Sequence, residues 1–494
     1  MFDTSSSKLY QPLMPTVSEQ LLAELCKKSF LQLWSYPSPY YDKGLAKRRE
    51  GKELCVLLVV FGSDVIIFSD KSCEFPNTDD LLLDWRRWWK RAIAESAVQI
   101  SGAERWIRNF PIRIFADKQC TLRLDIAIPN AEAIRIHGVI VATGAASRCR
   151  DYFNGGSGSL MIESSAHSHG APATPFTISG ATNADKFVHV LDEVCLEDVL
   201  GERDTAADFI EYLSKKESAM SSKHFIAAGE EDLLGHFLLT LGADGEHSFI
   251  PPGAEGFDVF QIPEGTYSEL KSLPQYIRSK EVNAQSYGWD RLVDYFTESR
   301  KDDRLESAVD AADFERCLRV MALPRRSERR ILASMVFTLM QHTGSQVRTA
   351  CRILLDRRLA YAGVAVPEPQ SAPDEEYRRV RHQIMVAYAR SVRIRFPDVQ
   401  QVLVLAFHAP HTGNVSADVA LLDMSDWNEE IETRTREDME QFGWSAAGER
   451  TTEYEFPPLP AQVLREQLRR IRQRERIQAK QNRPKADQGG TTQS

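Results

Sequence analysis

The sequence has no pair of cysteines at CxxC spacing; Cys26, Cys55, Cys73, Cys120, Cys149, Cys195, Cys317 and Cys351 are scattered singly. This excludes a zinc ribbon and provides no secreted disulfide framework, so the thiols read as reduced core residues of a cytoplasmic protein. No apolar run approaches the ~20 residues of a membrane span, and Met1 to Lys8 lacks the charged-then-apolar order of a signal peptide. No membrane partner and no export are expected. Also missing are a Gly-Lys-Ser/Thr phosphate loop, a Gly-x-Ser-x-Gly elbow and a His-Glu-x-x-His helix, and with them three common routes to catalysis. Asn154-Gly-Gly-Ser-Gly-Ser159 lacks the preceding strand and following helix of a nucleotide cradle and reads as a loop. His167-Ser-His169 and His408-Ala-Pro-His411 have no third ligand at a recognisable spacing, and both pairs read as surface histidines.

What is present is a 494-residue chain of ordinary globular composition, long enough for about three domains. Its formal charge of −9 disfavours indiscriminate attraction to nucleic acid, yet the charge is segregated. Between Ala461 and Lys485 nine basic residues, among them Arg469, Arg470, Arg472, Arg474 and Arg476, stand against only Glu466 and Glu475. Leu464, Leu468 and Ile471 fall at helical spacing, so the segment reads as a basic helix on an acidic body, either solvated or holding a nucleic acid or protein partner.

Along the chain, Thr16-Val-Ser-Glu19 has the form of a capping box opening a helix that runs to about Trp34. Two apolar runs, Leu54 to Phe61 and Val65 to Phe68, flank Gly62-Ser63 and predict a hairpin with a two-residue type II′ turn. A long amphipathic helix follows from about Asp80 to Arg108, then strands at Ile112 to Phe115, Leu122 to Ile128 and Ile134 to Ala142. The expected organisation is an α/β domain over residues 1–150 and a Gly/Ser-rich loop region over 151–185. A mainly helical unit then covers 186–345, a small α/β domain 359–445, and a basic helix with a disordered tail 459–494. The third unit reads as strand Tyr361 to Val366, helix Asp374 to Arg395, and strands Gln401 to Phe407 and Asp418 to Asp423.

The segment Gly51-Lys-Glu-Leu-Cys-Val-Leu-Leu-Val-Val-Phe-Gly-Ser-Asp-Val-Ile-Ile-Phe-Ser-Asp-Lys71 joins an acid-headed strand through a tight hairpin to a strand ending in Asp-Lys. With the capped helix before it, the segment resembles the opening of the PD-(D/E)XK nuclease superfamily, particularly its restriction-like and NERD-like branches, over roughly Thr16 to Ala142. The resemblance implies a mixed sheet flanked by helices, Mg2+ or Mn2+ as cofactor, and DNA as substrate in bacterial restriction or defence. Carried onto this sequence, it makes Glu53 and Asp70 metal ligands with support from Glu19. Lys71 becomes the residue that orients the attacking water, and Gln99 on the following helix the supporting glutamine.

Counting outward from the turn, Phe61 faces Asp64, Val56 faces Ser69, Cys55 faces Asp70 and Leu54 faces Lys71. Side chains alternate along a strand, so Lys71 shares a face with Ser69 and Val56, where the family keeps its metal acids, while Glu53 and Asp70 lie on the other. Glu53 and Asp70 reach Lys71 only if the strand end rotates the backbone. Three functions stay open: a metal-dependent DNA endonuclease of weak activity, a non-catalytic nuclease-like scaffold for nucleic acid or a protein partner, and an unrelated α/β and helical interaction protein. Trp85, Trp88 and Trp89 read as packing against the sheet.

Overall fold

The computed structural model describes residues 16–445 except 131, 165–170, 180, 184–185, 243–245, 302–310, 342–345, 355–357, 368–373 and 409–416. The basic segment with Arg469, Arg470, Arg472, Arg474 and Arg476, the pair His167 and His169, and His411 lie outside the described residues. The capping box forms as expected: the Thr16 hydroxyl accepts from the Glu19 amide and Glu19 Oε2 accepts from the Thr16 amide, both at 3.2 Å. The helix runs Val17–Trp34 with a break at Leu31, where φ is +62°; Leu22, Cys26 and Phe30 form its buried stripe, each one turn from the last, and Trp34 is buried beyond the break.

The architecture is mixed α/β. Leu57–Phe61 pairs antiparallel with Asp64–Ser72, with Phe61 opposite Asp64 and Leu57 opposite Phe68, the register counted from the sequence. Gly62 adopts φ +60° and Ser63 keeps a negative φ, as a type II′ turn demands of its central residues. The hairpin sits in a six-stranded sheet of order Ser35–Pro37, Leu57–Phe61, Asp64–Ser72, Arg135–Thr143, Lys186–Asp192, Ala181–Asn183. Asp64–Ser72, Arg135–Thr143 and Lys186–Asp192 run parallel. Parallel pairing requires a crossover; here it is the helix Leu81–Trp89, a π-helical turn Lys90–Ala94 and the helix Glu95–Asn109.

Helices cover both faces of this sheet, which is why its central strands read as unbroken apolar runs. A Cβ on Gly138 would come within 2.8 Å of Ile100 Cγ2, so glycine there lets the helix Glu95–Asn109 lie close on the strand. Trp85 and Trp88 are fully buried and stacked at 5.5 Å, with their indole N–H groups donating to the carbonyls of Pro172 and Cys73. They pack, as expected, against the sheet.

Several expectations change. Only Ile114–Phe115 forms the strand expected at 112–115, and of 122–128 only Arg123 makes a bridge, to Phe115. The Asp117 carboxylate takes both the amide and hydroxyl of Thr121 and the amide of Leu122, and those side-chain bonds replace a ladder. Lys186–Asp192 lies inside the six-stranded sheet, so the Gly/Ser-rich stretch is an excursion between strands of one sheet. The mainly helical middle contributes two further strands, His224–Ala227 and Val259–Ile262, to a second sheet with Met161–Glu163 and Thr177–Ile178. Asp290 anchors its helices, bridging Arg326 at 2.7 Å and Arg329 at 2.6 Å.

In the third unit, Leu359–Val366, Gln401–His408 and Ala417–Asp423 form a sheet whose outer strand, Arg348–Ile353, gave no recognised sequence signal. One face of that sheet buries Tyr361, Leu403, Leu405 and Phe407 in the main core; the other buries Ala362, Val364, Val402 and Val404 under the helix Asp374–Arg395. His408 is not a surface residue: it ends an interior strand, is buried, and its Nδ1 lies 3.1 Å from the Tyr377 hydroxyl.

Gly62→Val should lower stability by about 1 kcal/mol or more, because a β-branched residue is strained at positive φ. A urea midpoint equal to that of the wild type would mean the turn tolerates a different backbone and the register is not fixed there.

Candidate functional site

Asp64–Ser72 is apolar except toward its ends. Alternation places Ile66, Phe68 and Asp70 under the first helix, where the Phe30 and Phe68 rings meet at 6.4 Å. Ser69 points the other way, and its hydroxyl donates to Gln99 Oε1 at 3.1 Å.

Asp70 is only 5% exposed, and neither of its carboxylate oxygens has a hydrogen-bond partner among the described residues. Burial pushes its pKa up to about 6; the nearby Ser18 hydroxyl and Lys71 ammonium oppose this, and the Glu19 carboxylate adds to it. A buried carboxylate is costly to ionise, and Ser18 and Lys71 offset that cost only in part.

Glu53 arrives by a route the hairpin count did not contain. The ladder ends at Leu57; Val56 N still donates to Phe68 O at 3.2 Å, but Ser38 N donates to Val56 O and Leu54 N to Pro39 O. Lys52–Glu53 then pairs with Tyr40–Tyr41 in a separate small sheet. Leu54 therefore does not face Lys71, because its strand has changed partners. Glu53 has its pKa raised by partial burial and by Glu19, and lowered by Lys71 and Ser38. Glu53 and Asp70 thus share the same two charged neighbours, Glu19 and Lys71.

Four of the five expected site residues, Glu19, Glu53, Asp70 and Lys71, are electrostatic neighbours near the carboxyl end of the strand, the end at which open α/β sheets bind ligands. Gln99 does not join them, since Ser69 holds it on the opposite face. Val56 and Ser69 are buried, so that face carries no carboxylate at the positions where the resembling family has acids. Lys71 is half-buried and makes no hydrogen bond or ion pair with another described residue. The three carboxyl groups against one ammonium leave surplus negative charge here, but their oxygens do not converge as a three-ligand metal site among the described residues. Arg87, Lys90 and Arg91 line an adjoining open groove with Glu74 and Phe75.

Sequence reasoning missed a second cluster at the other end of the same sheet face. His137 Nδ1 and His189 Nε2 lie 2.7 and 2.9 Å from one oxygen, Glu217 Oε1. His137 and His189 occupy neighbouring parallel strands, and Glu217 belongs to the helix Ala206–Ser222. No local spacing joins residues so far apart in the chain; only the parallel pairing of their strands does. No family model matches the chain, and neither does any curated protein or solved structure.

The Asp70 geometry sets a pH dependence. A folded-state pKa above that of the unfolded chain means that folding favours the protonated form, so the carboxylate lowers metal-free stability above pH 6 and has no such effect below pH about 4. Without metal, Asp70→Asn should be more stable than wild type at pH 7.5 by on the order of 2 kcal/mol, the advantage vanishing near pH 4. Urea midpoints in EDTA at the two pH values check this; an equal difference at both would mean that Asp70 is solvated or paired.

Proposed function

We propose that the chain is a divalent-metal-dependent phosphodiester hydrolase acting on DNA, of the PD-(D/E)XK-like type to which its opening segment is similar. The observation that carries this reading is Asp70, a buried carboxylate with both oxygens unpaired, beside Glu19, Glu53 and Lys71. Carboxylate oxygens suit Mg2+ or Mn2+. A bound ion would supply charge neutralisation at the scissile phosphate and a more acidic water. Asp70 and Glu53 would be its carboxylate ligands; Glu19, whose Oε2 caps its own helix, would contribute charge at the site's edge. Lys71, which makes no hydrogen bond or ion pair with another described residue, would orient the water or balance charge on the phosphate. Arg87, Lys90 and Arg91 offer contacts to the neighbouring backbone phosphates, and Gln99 steadies the strand end through Ser69.

A second reading, a nuclease-like scaffold that binds nucleic acid or a protein without cleavage, is favoured by one feature. Val56 and Ser69 stand where the resembling family has acids, which leaves Lys71 facing no carboxylate on its own side of the sheet.

Plasmid nicking with Mg2+ or Mn2+ separates the two. The hydrolase reading expects wild-type cleavage that falls on the order of a hundredfold or more in Asp70→Asn and in Lys71→Ala. Absent cleavage with DNA retained in filter binding moves the assignment to the scaffold; absence of both removes DNA as the ligand.

A further inference from the structure

We propose that His137, His189 and Glu217 form a binding site for a single zinc ion, separate from Asp70 and independent of the hydrolase reading. Among the described residues this is the one group of three such side chains whose ligand atoms converge within 4.8 Å. His137 and His189 are 3% and 1% exposed, and Glu217 is partly open to solvent. The register sets His137 beside Ile66 and His189 two strands across from Phe68, so both histidines lie about 12–14 Å from Asp70 along the same sheet face.

The argument turns on Asp64. His137 Nδ1 lies 2.7 Å from Glu217 Oε1 while its Nε2 is directed at Asp64 Oδ1, 3.5 Å away. Neither that nitrogen nor that oxygen has another hydrogen-bond partner among the described residues, and both are buried. A cation on Nδ1 would take the place of a proton there and keep the Nε2 proton directed at Asp64. This is the carboxylate–histidine–metal arrangement that orients metal-bound imidazoles. Arg135, bonded to the other Asp64 oxygen at 2.8 Å, holds that carboxylate in place.

Two imidazole nitrogens and one carboxylate are a borderline donor set that favours zinc over magnesium. Three protein ligands leave a fourth position for water on the exposed side of Glu217. The ion would tie the helix Ala206–Ser222 to two parallel strands.

The test uses the full chain stripped with EDTA and titrated with Zn2+ against a chromophoric chelator, alongside Co2+ monitored by visible absorption. One equivalent of zinc and Co2+ bands of a four-coordinate N/O site are expected for wild type and for Asp70→Asn. Glu217→Gln and His189→Asn should weaken binding by on the order of a hundredfold, and Asp64→Asn by about tenfold. Glu217→Gln retains an oxygen for the histidines, so its circular dichroism in EDTA should match wild type. Wild-type protein that takes up no zinc and develops no Co2+ bands overturns the site and leaves two histidines hydrogen-bonded to a shared carboxylate. Unchanged affinity in Glu217→Gln and His189→Asn overturns it equally.

Discussion

The pairing of Asp64–Ser72 on both of its edges is the constraint from which the rest follows. One edge is bound antiparallel by Leu57–Phe61 and the other parallel by Arg135–Thr143. A slip of one residue would invert every side chain on the strand, placing Ser69 under the first helix and Asp70 against Gln99. Because both faces are buried, such a slip meets a packing penalty on each. The fixed register puts Asp64 and Asp70 at opposite ends of one face and, through the parallel neighbours, brings His137 and His189 onto that same face. Both clusters are therefore products of a single strand alignment.

Comparison of buried aspartates shows what distinguishes Asp70. Asp290 is as deeply placed, but two guanidinium groups bind it and hold its pKa below the ordinary carboxylate range. Asp192 is pushed up to about 6 by burial, yet Ser159 Oγ and Leu160 N bond one oxygen and the amides of Val194 and Cys195 the other. A raised pKa alone does not mark a site. Asp70 differs in having no partner at either oxygen, a state that neither helix capping nor ion pairing accounts for.

The sequence made legible whatever depended on local chemistry: the Thr16 capping box, the Gly62-Ser63 turn and its register, and the long helices with apolar stripes. It also indicated that Asp70 would part from Ser69, because alternation along a strand is a local rule. Three things were hidden. The departure of residues 54–56 from the hairpin depends on Ser38 and Pro39, which approach from a distant loop. The loss of the strand at 122–128 depends on a single side chain, Asp117, outcompeting backbone pairing. The pairing of His137 with His189 depends on a parallel crossover, which no spacing in the chain encodes.

The break in the ladder also shows where the structure accepts strain. Ser38 is a non-glycine residue at φ +45°, and its backbone bond to Val56 is what turns the chain so that Tyr40–Tyr41 can pair with Lys52–Glu53. A left-handed conformation at a residue with a Cβ costs roughly 1–2 kcal/mol. Ser38 is buried, and its hydroxyl also lowers the pKa of Glu53, so the strained residue touches the acid it delivers. Had the hairpin continued regularly to Leu54, this strain would not be required. Two separate destabilising features meet at the carboxyl end of one strand, and the large core elsewhere sustains them. That concentration is the pattern by which observed strain points toward function.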